Sequence, residues 1–186
     1  MMIAVTDLKK GMAFELDGLL YTVLDFQHIK VGRGSAQVRL RLRDVRAGHT
    51  IERTFQAGER FQRVDLDLRP AQYLYRDGDL LYFMDTVSFD QMPLGSQQLG
   101  DGLKYLKEGM TVTITLHGDV PVGVDMPITA DLRVTETGPS FKGDTASSGT
   151  KPAVLETGIT VHVPFFINVG DVVRVDTRDG HYVERA

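Results

Sequence analysis

The chain has 186 residues, with 21 basic and 25 acidic side chains for a net charge of −4, and it is 42% hydrophobic and 25% charged. That balance excludes a mainly disordered protein, because there is enough apolar surface to offset chain entropy. The absence of cysteine excludes disulfides, thiolate metal sites and cysteine nucleophiles, and no apolar run reaches the roughly 20 residues that span a bilayer as a helix.

The opening residues, Met1 to Asp7, lack the basic-then-apolar pattern of a signal peptide. A cytoplasmic protein with no membrane association is therefore expected. Asp17-Gly18, Asp77-Gly78, Gly118-Asp119 and Asp179-Gly180 punctuate short runs rich in Val, Leu, Ile, Thr, Tyr and Phe. Asp-Gly pairs between such runs signal β-hairpins. Strands of this length with frequent turns indicate small sandwiches or barrels. Leu19–Leu24 is a continuous apolar run, whereas 111–116 and 172–175 alternate.

After the first run comes Lys30-Val31-Gly32-Arg33-Gly34-Ser35-Ala36. Gly32 and Gly34 free the backbone to turn at positive φ, which leaves Arg33 alone at a hairpin tip. A guanidinium there offers five donors in a rigid fork suited to phosphate or ribose oxygens. The alternative is an ordinary turn carrying a solvated arginine, since Gly-x-Gly is common in turns. Gln37 to Arg43 then alternates strictly. Val38, Leu40 and Leu42 share one face, and Arg39, Arg41 and Arg43 the other. That basic stripe reads either as a nucleic-acid footprint or as a solvated face paired to neighbouring acids.

Further on, Asp65-x-Asp67 places two carboxylates on one strand face, read as solvated. Tyr73-Leu74-Tyr75 alternates, and its tyrosines read as barrel core or interface. Helical periodicity is weak. One short helix is expected over Leu103–Glu108, stopped by Gly109. The loop from Gly138 to Lys151 is polar and glycine-rich, too long for a tight hairpin, and holds Gly143-Asp144-Thr145. It is either a connector or a set of hydroxyls and amides able to meet nucleotide edges. The five histidines form no metal-ligand spacing, and no nucleophile elbow or phosphate loop occurs. An enzyme is therefore not expected, nor a metal or cofactor.

Charge divides the chain. Residues 1–64 hold 11 basic and 7 acidic groups, 65–128 hold 4 and 10, and 129–186 hold 6 and 8. Three β-rich units with these boundaries are expected.

Several gapped stretches together resemble the bacterial elongation factor P family. They are Thr6-Asp7-Leu8-Lys9-Lys10-Gly11-Met12, Gly32-Arg33-Gly34, Glu52-Arg53-Thr54-Phe55, Tyr73 to Gly78 and Phe83-Met84-Asp85. The most specific is Lys151-Pro152-Ala153 with Gly158, Val161, Val163-Pro164, Ile167 and Gly170, followed by Val175 to Tyr182. The resemblance covers essentially the whole chain.

It implies an all-β fold of three small β-barrel domains, SH3-like (KOW-like) over 1–64 and OB-type over 65–128 and 129–186, in an L-shaped, tRNA-like arrangement. It further implies a translation factor that binds the 70S ribosome between the P and E sites, beside peptidyl-tRNA and ribosomal RNA. Such a factor promotes peptide-bond formation at consecutive prolines by positioning the CCA end. By the same resemblance, Arg33 is the CCA-end contact and a candidate rhamnosylation site for an arginine-modifying glycosyltransferase. Gly32 and Gly34 shape its loop. The alternating Arg39, Arg41 and Arg43 face fits that picture as an RNA-facing strand, and by the resemblance Gly143, Asp144 and Thr145 contact the E-site codon of the mRNA. The lysine that many members carry at the tip is arginine here. A monomer is expected. Two other readings are a paralogue of the same fold with a related ribosomal role, and a general OB-fold RNA-binding protein. The second lacks the usual interleaving of aromatic with basic residues.

Overall fold

A computed structural model describes residues 1–29, 34, 36–139 and 149–186. It is built almost wholly of antiparallel strands. The first sheet comprises β1 (Met2–Ala4), β2 (Ala13–Leu16), β3 (Leu19–Ile29), β4 (Gln37–Asp44), β5 (Thr50–Gln56) and β6 (Arg60–Val64). Its order is β1-β6-β2-β3-β4-β5. A two-residue turn at Asp17-Gly18, with φ of 53° and 77°, closes β2 onto β3 in the register Leu16 opposite Leu19. Both central residues at positive φ match the twist of the flanking strands. Phe14, Val23, Val38, Leu40 and Leu42 are buried in its core, with Phe61 ringed by Phe14 and Phe55 at 4.9 and 5.0 Å.

The second sheet contains β7 (Asp67–Asp77), β8 (Leu80–Asp85), β9 (Gln91–Gly95), β10 (Thr111–His117) and β11 (Val120–Asp125) in the order β11-β10-β7-β8-β9. The third contains β12 (Thr129–Thr137), β13 (Thr150–Leu155), β14 (Thr160–Pro164), β15 (Val172–Asp176) and β16 (Tyr182–Arg185) in the order β14-β13-β12-β15-β16. Read from the opposite edge, the two orders are the same, with the first strand central. In both sheets that first strand carries a bulge where it pairs with the second, at Tyr73/Tyr75 and at Val134/Glu136. Bulges bend a strand and raise its twist, which curls a small sheet. The two sheets differ in where they spend their connections. The second places residues 96–110 between its third and fourth strands. The third places residues 138–149 between its first and second.

One turn recurs in all three sheets. Asp44, Asp85 and Asp176, all buried, end a strand. Each acid's amide donates to the carbonyl five residues on, His49, Asp90 or His181, at 2.9 Å. Each acid's carbonyl accepts from the residue four on, Gly48, Phe89 or Gly180, whose φ is 74°, 63° or 79°. The carboxylate accepts turn amides, those of Arg46 and Ala47 for Asp44, Val87 and Ser88 for Asp85, and Arg178 for Asp176. Each acid thereby satisfies backbone donors that the turn would otherwise strand.

The chain forms two compact units, Met1–Pro70 with Thr113–Asp125, and Ala71–Val112 with Met126–Ala186. Within the second unit, a 3-10 helix over Gly100–Tyr105 sends Tyr105 into the core of the third sheet, among Leu132, Leu155, Ile167 and Val173. The expected helix over 103–108 is thus displaced by three residues toward the N-terminus and is a 3-10 helix of the same six-residue length. Leu106 is already extended, and Gly109 sits at φ 82° in the following turn. Burial of Tyr105 fixes this segment, not helical periodicity, which the sequence lacks. Among the described residues no helix is long and apolar enough to cross a membrane.

Candidate nucleic-acid interface

β3 and β4 pair from Tyr21 opposite Asp44 out to Ile29 opposite Gln37. β3 spans 11 residues, roughly 35 Å at the strand rise. Its inner half is buried at Tyr21 and Val23, while Asp25 to His28 are all exposed. The apolar run marks only that inner half. A bulge between Val23 and Asp25 resets the alternation, so a single period does not extend through the outer half. The hairpin therefore projects as an arm, and β5 lines β4 as far as Gln56 opposite Gln37. Lys30 to Arg33 and Ser35, including Gly32 and Arg33, lie outside the described residues. Gly34 is described and is exposed.

The alternation expected in β4 is present. Val38, Leu40 and Leu42 are buried, while Arg39 and Arg41 are exposed and Arg43 is half-buried. The three arginines have unlike surroundings, however. Arg41 stands between Asp25 on β3 and Glu52 on β5, close enough for cross-strand interaction. Arg43 stands between Thr22 and Thr50, and its guanidinium is ion-paired to Asp125. Arg39 stands between Gln27 and Thr54 and makes no ion pair among the described residues. The free positive charge of the described stripe thus lies at Arg39, toward the end of the arm. Glu52 alternates with Thr50 and Thr54 and could have been placed from the sequence. Asp25 could not, because the bulge sets its face.

In the third sheet, Gly143, Asp144 and Thr145 lie outside the described residues. The strands that carry their loop are fixed. The Lys151 ammonium, buried at the start of β13, donates to the Gly138 carbonyl at 2.7 Å. Thr137 donates its hydroxyl to the Pro152 carbonyl at 3.0 Å. At the far end of this sheet, Arg178 binds the Asp176 carboxylate through its side chain and its amide and holds it at a pKa of about 2. The Arg174 guanidinium, hydrogen-bonded to Asp131, holds that carboxyl below its ordinary range as well.

Asp176, Asp179 and His181 bring potential metal-ligating atoms within 4.8 Å of one another, a grouping the sequence analysis missed. The Asp176 carboxylate is already engaged by Arg178, and the other two side chains are exposed. Asp65 and Asp67, read as solvated, pair with Arg63 and Arg69 at 3.1 and 3.9 Å. Tyr73 and Tyr75 do not share a face. The bulge at Leu74 buries Tyr73 at 8% exposure and leaves Tyr75 at 45%, stacked on Tyr82 with ring centroids 4.7 Å apart.

Comparison with known proteins agrees from end to end. Three family descriptions match in order: the elongation factor P KOW-like domain over residues 4–61, the elongation factor P OB domain over 66–124, and the elongation factor P C-terminal domain over 130–185. Elongation factor P of Moorella thermoacetica is 50% identical over 185 residues, covering 100% of both chains. That of Acetivibrio thermocellus is 47% identical over 184 residues, covering 99% of this chain and 100% of its own. Among solved structures, a eukaryotic translation initiation factor 5A from Methanococcus jannaschii superimposes with a TM-score of 0.50 at 22% identity. It covers 68% of this chain and 92% of its own. An eif-5a family protein from Naegleria fowleri gives 0.51 at 13% identity, over 68% and 98%. At those identities the likeness is one of fold, a KOW-like sheet followed by an OB-type sheet.

Proposed function

The chain belongs to the elongation factor P family, and from that premise we propose that it binds the 70S ribosome between the P and E sites and relieves stalling at consecutive prolines. It is a translation elongation factor. In our reading Arg33 meets the CCA end of the P-site tRNA, and Gly32 and Gly34 let the tip approach closely. Arg39 gives the arm a phosphate contact, with Arg41 and Arg43 beside it. Gly143, Asp144 and Thr145 read the E-site codon. The working domains are 1–64, 65–128 and 129–186. This division is supported by strand ends at Val64 and Asp125 and strand starts at Asp67 and Thr129. The factor works as a cytoplasmic monomer, and Arg33 is the residue a glycosyltransferase would rhamnosylate.

The observation that carries this reading is the projecting β3–β4 arm in a chain matched over its full length by the family. The chemistry asked of it is orientation. Proline constrains the geometry of both donor and acceptor. A group that holds the CCA end in place lowers the barrier by fixing approach and leaves bond-making to ribosomal RNA.

The test is reconstituted translation of a reporter with a three-proline run. It compares no factor, this protein with an intact-mass check on Arg33, and Arg33→Ala. Relief of the stall that disappears in Arg33→Ala supports the reading. If protein from its native source, whatever its modification, gives no relief, the reading fails.

A further inference from the structure

Within the second compact unit, a cleft of about 450 Å3 opens between β7, the 3-10 helix Gly100–Tyr105 and the turn after β13. Nothing in the proposed role of the arm or of the codon loop uses it. Its walls combine three kinds of group with one acid, Asp101, at the rim. Leu103 and the edge of Leu106 provide apolar surface, backed by the fully buried Leu81. Arg76 and Lys104 provide two cations. Tyr73 and Thr157 provide hydroxyls.

The cations are lightly held. Arg76 reaches Asp79 at 3.9 Å and Lys104 reaches Asp101 at 3.7 Å, and both carboxylates are 98% exposed. Such pairs contribute little and exchange readily for a better anion. The Arg76 guanidinium is nevertheless oriented, because its Nε donates to the Gly78 carbonyl at 2.7 Å. Its two terminal nitrogens, one of them only loosely paired with Asp79, can turn to a second acceptor in the fork geometry that matches phosphate. The Thr157 hydroxyl is the one buried side-chain polar atom without a hydrogen-bond partner among the described residues. A buried hydroxyl left unpaired costs free energy, and such a group in a native structure asks for an explanation. Burial raises the Tyr73 phenol above its ordinary pKa, with Glu108 adding to the effect. The phenol therefore remains a donor at neutral pH.

We propose that this cleft binds a nucleotide, its phosphate between Arg76 and Lys104 and its nucleoside against Leu103 and Leu106, with Thr157 and Tyr73 completing the polar contacts. The size lies within the range of small-molecule sites that set a few polar groups against apolar walls. The same chemistry is offered by a free nucleotide and by one residue of an RNA chain.

The experiment separates these sources on the full chain by two-dimensional NMR titration with adenosine, adenosine 5′-monophosphate and the dinucleoside monophosphate ApA. Saturable shifts around residues 73–81, 100–106 and 157 are expected for a phosphate-bearing probe, at affinities of about 1 mM or better. Adenosine should bind roughly tenfold more weakly or worse, since it lacks the charge-assisted contacts. Preference for the monophosphate assigns the site to free nucleotides, and preference for ApA assigns it to RNA. Arg76→Ala with Lys104→Ala, both on half-exposed side chains that leave the core intact, should weaken the preferred probe by roughly tenfold or more. Thr157→Val should weaken it less. Absence of saturable shifts with both phosphate probes overturns the proposal, as does binding that the double substitution leaves unchanged.

Discussion

Removal of the three β4 arginines one at a time should give three different outcomes in ribosome binding. The difference follows from their neighbours. Arg39 faces Gln27 and Thr54, so its charge is available to a phosphate. Arg41 lies in a row with Asp25 and Glu52, so that row carries one positive and two negative groups. Arg43 is committed to Asp125. Each phosphate neutralised contributes roughly 0.7–0.9 to the slope of log affinity against log salt. Over a fourfold rise in salt, one contact is therefore worth about threefold in affinity. Arg39→Ala should lower the magnitude of the slope by that amount and weaken binding most at low salt. Arg41→Ala should change it by less than half as much. Arg43→Ala should leave the slope nearly intact and instead lower stability by up to about 1 kcal/mol, the range for a half-exposed ion pair. The assay is equilibrium binding of each variant to 70S ribosomes across a salt series, paired with urea unfolding. Equal slope changes for all three would refute the reasoning, because cross-strand neighbours would then not decide which cation is free.

Three other outcomes follow from the fold. Asp44→Ala and Asp85→Ala each strand two turn amides and should cost about 1–3 kcal/mol in urea unfolding, whereas Phe89→Gly, at φ 63° and 68% exposed, should relieve left-handed strain and stabilise by up to about 1 kcal/mol. A Cβ at Gly123 would sit 2.3 Å from the Val45 carbonyl oxygen. Gly123→Ala should therefore destabilise by about 1–3 kcal/mol, while Gly58→Ala, in open space, should stay within about 0.5 kcal/mol of the parent. Asp176, held at about 2, and Asp131, also lowered, bind protons more weakly folded than unfolded. Their contribution is present above the unfolded value of about 3.9 and is lost as pH falls toward about 2. Thermal midpoints of wild type and Arg178→Ala should thus converge in that window, and parallel curves would contradict the linkage.

Legibility in the sequence varied with the physical cause. The Val38–Leu42 alternation and the Asp17-Gly18 turn were readable because each depends on neighbours a few residues away. Bulges were not. At Leu24 and Leu74 they reversed which face the following residues take, moving Asp25 beside Arg41 and separating Tyr73 from Tyr75. A bulge depends on pairing with a distant strand and leaves no local signal. The helix expected over 103–108 was misplaced by three residues for the same reason, since Tyr105 is held by residues from 130 to 175. The Arg43–Asp125 pair spans 82 positions, beyond any periodicity argument. The recurring acid-capped turn at Asp44, Asp85 and Asp176 was not read from the sequence. Its common geometry was hidden because Phe89 stands where the other two copies have glycine.

The arm also shows why core and site cannot be designed separately in a strand. A slip of one residue in β4 would carry Val38, Leu40 and Leu42 to the solvent face and Arg39, Arg41 and Arg43 into the core. Burial of the three apolar residues therefore locks the register, and the register places Arg39 beside Gln27 and Thr54. The same lock extends outward through Ile29 opposite Gln37 and Gln37 opposite Gln56. It reaches one residue further at Ala36, whose carbonyl accepts from the Ala57 amide at 2.9 Å. Orientation as a source of rate needs a reacting group presented from rigid elements. A base of three strands, paired out to Ile29, Gln37 and Gln56, would meet that need with backbone pairing alone if the arm has the proposed role.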